Sequence, residues 1–92
     1  MIYGGEKMTI SATDVFDKVA EYVRKNYEKV ESVRMPYCSL TEDYLSKKKL
    51  YRVELKIKLE EEHYPKSAIA EVDAESGNIT MFKEGYTWTY WI

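Results

Sequence analysis

Apolar and polar residues alternate without a break from Tyr51 to Glu60, with Tyr51, Val53, Leu55, Ile57 and Leu59 on one side and Arg52, Glu54, Lys56, Lys58 and Glu60 on the other. Successive side chains of a strand point to opposite faces, so this spacing predicts a strand over 50–60 with one buried and one wet face. Upstream the period changes. Val15, Phe16, Val19, Ala20, Val23, Tyr27 and Val30 recur three and four apart, while Asp17, Lys18, Glu21, Arg24, Lys25 and Glu28 fall largely opposite. That is the pattern of an amphipathic helix of about five turns, fading by Glu31 or Ser32. Ser11-Ala12-Thr13-Asp14 supplies its start near Thr13, through a hydroxyl cap and acidic residues at the positive helix end.

Four further segments read as extended. Residues 33–40 form a first strand in which Pro36, having no N–H, calls for an edge position or a bulge. A polar connection over 41–49 ends in three lysines. After a Glu-Glu-Glu-His-Tyr-Pro-Lys turn, 67–73 and 79–83 are strands flanking a turn in which the Asp73 side chain can bond the backbone two residues on and Gly77 can take a positive φ. Gly85 marks a bulge or bend, and Tyr86-Thr87-Trp88-Thr89-Tyr90-Trp91-Ile92 alternates again with high β propensity. The order is α-β-β-β-β, with the last strand broken at Gly85 or counted as two. The predicted fold class is α+β: one N-terminal amphipathic helix packed on a curled antiparallel sheet of four to five strands, the helix covering Val53, Leu55 and Ile57. All 92 residues belong to one domain, with 1–10 expected to be a flexible lead.

The turn Val72-Asp73-Ala74-Glu75-Ser76-Gly77-Asn78-Ile79, together with the leading helix and the Tyr-x-Val of Tyr51 to Val53, resembles the strand-turn-strand signature of PepSY domains over about 13–83. The resemblance implies a cystatin-like helix-on-sheet module, and a role as a propeptide or inhibitory element of secreted peptidases.

Composition narrows the field. With 45% hydrophobic and 33% charged residues the chain is globular in character, and its formal charge of −2 is spread among interspersed acids and bases, which argues against nucleic acid as a partner. No apolar run approaches the roughly 18 to 20 residues of a membrane helix, so no membrane is expected. The first eight residues lack the basic start and apolar centre of a secretory signal, so the expected location is cytoplasmic, or extracytoplasmic if the chain is a processed fragment, and Met8 is a second candidate start. One cysteine and one histidine exclude an internal disulfide and a four-ligand zinc site built from those residues. The absence of glutamine and the abundance of Lys, Glu and Tyr match proteins from hot environments.

Little of this is catalytic chemistry. Cys38 and His63 are the one conceivable nucleophile and base, but they sit in a strand and a separate turn with no third group to orient them. Glu60-Glu61-Glu62-His63 could chelate a cation only from a specially shaped loop, because alternate residues of an extended chain diverge. Lys47, Lys48 and Lys49 with Arg52, Lys56 and Lys58 form a basic stripe interrupted by Glu54 and Glu60, better explained by cross-strand ion pairs than by a nucleic-acid backbone. No phosphate-binding glycine loop, EF-hand or zinc-protease motif occurs, and no cofactor or metal is expected. The strongest binding candidates are Trp88, Tyr90 and Trp91, since one register of the last strand exposes Trp91 and the other exposes Tyr86, Trp88 and Tyr90. The leading expectation is a non-catalytic module that binds a protein or peptide. A homodimer built on the aromatic strand is the alternative, with a small enzyme or nucleic-acid binder third.

Overall fold

Ser11 caps the helix in both directions. Its hydroxyl accepts from the Asp14 N–H at 3.1 Å, and the Asp14 carboxylate accepts from the Ser11 N–H at 3.2 Å, satisfying two donors that the helix cannot pair internally. The computed structural model describes residues 9–86, in which helix α1 (Ala12–Asn26) is followed by β1 (Val30–Glu42), β2 (Lys49–Leu59), β3 (Lys66–Asp73) and β4 (Ile79–Glu84). Among the described residues the strands lie in the order β1-β2-β3-β4, each antiparallel to its neighbour, in an open sheet with β1 and β4 outermost. This is the α+β arrangement that the spacing implies. The aromatic strand expected over 86–92, with Trp88, Tyr90 and Trp91, lies outside the described residues beyond Tyr86.

α1 stops earlier than its apolar period suggests. Tyr27 is already extended, and Lys29 takes a φ of 54°, which turns the chain into β1. Tyr27 and Val30 still pack against the core, from the helix cap and from β1, so they continue the apolar rhythm without continuing the helix. The Tyr27 hydroxyl donates to Glu84 of β4 at 2.7 Å, and partial burial, with that carboxylate beside it, drives the phenol well above its ordinary range.

Pro36 meets both of its requirements. β1 is an edge strand, and the ladder to β2 slips between Arg34 and Tyr37. β1 also runs further than 40, reaching Glu42, so the polar connection shrinks to a turn.

One face of the sheet carries the core. Val15, Val19 and Val23 of α1 lie on Val33, Tyr51, Val53, Leu55, Ile57, Ala68, Ala70 and Val72, all buried. Ile10, within the expected flexible lead, is hydrogen-bonded at both backbone groups, donating to the Ala74 carbonyl at 2.8 Å and accepting from the Tyr51 hydroxyl at 2.7 Å. Asp73 organises the turn before β4: its Oδ1 accepts from the N–H groups of Glu75 and Ser76 at 2.8 and 3.0 Å, and Gly77 closes the turn with a φ of 79°. No helix among the described residues is long and apolar enough to cross a membrane.

Candidate functional site

Three places among the described residues are candidates for chemistry or binding. Cys38 pairs opposite Val53 in the middle of the β1–β2 ladder, whereas His63 lies exposed in the turn after β2 ends at Leu59. At about 3.3 Å per residue, six residues of strand alone separate their levels by roughly 20 Å. Burial also pushes the Cys38 thiol upward, which disfavours the thiolate that nucleophilic attack requires.

The acidic turn does not converge on a cation. Glu61 pairs with Lys29 at 3.0 Å and Glu62 with Lys66 at 3.3 Å. Among the described residues no group of three or more His, Cys, Asp or Glu side chains is placed to hold a metal ion. The basic stripe is similarly engaged: Arg52 with Glu71 at 3.2 Å, Lys56 with Ser67 at 2.6 Å, and Lys58 with Glu31 at 3.6 Å.

The third place is the end of the β1–β2 hairpin, which composition had marked only as polar. Asp43 builds its turn. The carboxylate accepts from both the hydroxyl and the N–H of Ser46, which holds its pKa below the usual carboxylate value. The Asp43 carbonyl accepts from the Lys47 N–H at 2.8 Å, and the Asp43 N–H donates to the Lys48 carbonyl at 2.7 Å, with Lys47 at a φ of 63°. On this tied frame Tyr44 and Leu45 are 89% and 93% exposed, and Leu40, farther down β1, is also exposed. Lys47, Lys48 and Lys49 follow directly, and a shallow recess of about 270 Å³ is lined by Glu42, Tyr44 and Lys47. The signal in the sequence was the pair Tyr44-Leu45 itself, two large apolar residues inside an otherwise polar run.

The face of the sheet away from α1 also departs from simple alternation. Glu54, expected on a wet face, is only 6% exposed, and Ile69, directly opposite it on β3, only 5%. On the β1 side Glu54 faces Tyr37. Alternation records which way a side chain points, not how tall its cross-strand neighbours are, so the burial of Glu54 was invisible in it.

Comparison with protein-family models, with curated proteins and with solved structures gives no match for this chain.

Proposed function

We propose that the protein is a non-catalytic module that binds a protein or peptide, gripping it with the end of the β1–β2 hairpin. The observation that carries this reading is the near-complete exposure of Tyr44 and Leu45 on a turn whose backbone is already tied down by Asp43. A fixed loop loses little freedom on binding, so the apolar area it covers is converted more fully into affinity. Tyr adds a broad contact surface with a polar tip. The three lysines beside it suit a partner that surrounds an apolar notch with acidic residues. The separation of Cys38 from His63 supports a binding role over a catalytic one, and the likeness of the Val72 to Ile79 turn to PepSY domains makes a peptidase the first partner class to try.

A photo-crosslinking amino acid at position 44, compared with one at Tyr64, tests this. Tyr64 is 82% exposed in the turn at the opposite end of β2, so it controls for exposure alone. The expected result is a discrete cross-linked species from position 44 only, lost when Leu45→Ser is added without a change in melting temperature. Equal labelling from both positions would remove the hairpin end as the contact. Cross-linking between copies of the purified protein would identify the partner as a second copy.

A further inference from the structure

Gly77 has no side chain where the Lys18 stem crosses the turn before β4: a Cβ there would stand 3.2 Å from Lys18 Cε and 3.9 Å from its Cδ. Lys18 thereby lies along a shallow groove of about 420 Å³ between α1 and that turn, lined also by Glu21, Tyr22, Lys25, Asn78 and Ile79. We propose that this groove binds an acidic, extended peptide segment of a partner protein, its carboxylates held by Lys18 and Lys25.

The groove is rich in donors and short of acceptors. Lys29, Lys58 and Lys66 each have a carboxylate partner, whereas among the described residues Lys18 and Lys25 have none. The Tyr22 hydroxyl and the Asn78 side-chain amide likewise make no hydrogen bond among the described residues. Tyr22 is held in place all the same, its ring centre 4.8 Å from that of Phe82 on β4. At about 100° per residue, Lys18 and Lys25 form one row along α1, with Tyr22 on the sheet side of that row and Glu21 on its outer side. Glu21 therefore sits at the rim, and a chain lying against Tyr22 and Ile79 meets the two ammonium groups first. Lys18 and Lys25 are seven residues apart, roughly 10 Å along the axis, which about three residues of extended chain cover. That separation suits carboxylates spaced along a chain better than one compact anion. The backbone carbonyls of such a chain supply acceptors for Tyr22 and Asn78. The groove and the hairpin end lie on different elements, so this assignment does not rest on the reading of the hairpin.

Titration of isotope-labelled protein with acetylated, amidated tetraglutamate at low salt, followed through the backbone amide NMR signals, tests this. Tetraglutamine and inorganic phosphate serve as comparison probes. The expected result is a saturable set of shifts at Lys18, Tyr22, Lys25 and Asn78 with tetraglutamate, weakened as salt is raised and absent with tetraglutamine. Lys18→Gln combined with Lys25→Gln keeps good helix formers at both positions and should weaken that binding about fivefold at an unchanged melting temperature. Shifts confined to Lys47, Lys48 and Lys49 would overturn the groove and leave the hairpin end as the acid-binding surface. An equal response to phosphate or to tetraglutamine would overturn it as well, the first marking a site for any anion and the second a site blind to charge. So would the absence of saturable shifts, or binding that the double substitution leaves intact.

Discussion

The Tyr51 hydroxyl donates to the carbonyl oxygen of Ile10 across 2.7 Å, so the second strand holds the chain just ahead of the helix. The strand therefore positions α1 through a polar contact as well as through its apolar face. Tyr51→Phe keeps the ring and removes only this bond, leaving a partly buried carbonyl without its donor. The expected loss is about 1 kcal/mol, read as a lower melting temperature with unchanged helix content.

Leu55 and Ile57 are wholly buried beneath α1, and truncating either leaves a cavity that the surrounding valines cannot fill. Leu55→Ala or Ile57→Ala should cost roughly 2 to 5 kcal/mol in denaturant unfolding. An unfolding midpoint unmoved by both would mean that α1 does not seal this face.

Gly77 has a φ of 79°, and a Cβ there would stand 3.2 Å from Cε of Lys18. Lysine can give way, but the backbone conformation cannot become easy for an L side chain. Gly77→Ala should therefore destabilise by about 1 kcal/mol, with Gly77→Asn milder because asparagine tolerates this region better. Chemical denaturation of the two variants side by side checks the order.

The pH dependence should follow Asp73. Hydrogen bonds from the N–H groups of Ser76 and then Glu75 hold its carboxyl below the ordinary 3.8, and Asp43 is lowered likewise by Ser46. A carboxyl depressed in the folded state stabilises in full above its unfolded value and loses that contribution as pH falls through the folded one. Melting temperature should thus be flat on this account above about pH 5 and decline below about pH 4. Asp73→Asn, which can still accept both bonds, should show a shallower decline.

Much of this molecule is legible in its residues, and the failures have physical causes. Ser11 and Asp14 announce the helix start because capping is local chemistry. The apolar spacing runs past the helix end, since Tyr27 and Val30 keep a helical period while serving the core from a cap and a strand. Pro36 declares an edge and a bulge because a missing N–H has few places to go. Alternation puts Glu54 on a wet face, but its neighbours Tyr37 and Ile69 come from other strands, which no single-strand pattern contains. Tyr44 and Leu45 lie in a run that reads as a polar connection, and their exposure depends on where β1 ends, two residues later than its hydrophobic run suggests.

The β1-β2-β3-β4 order has a kinetic consequence. Each described strand pairs with the one next to it along the chain, so each hairpin can close over a short loop at small entropic expense, and the sheet can grow by one ribbon at a time. The Tyr51–Ile10 contact is of another kind, joining residues 41 apart in sequence. Strand pairing is thus the quick, local part of assembly. Fastening the helix over the finished sheet is the slower closure that a Tyr51→Phe variant would reveal in the refolding rate.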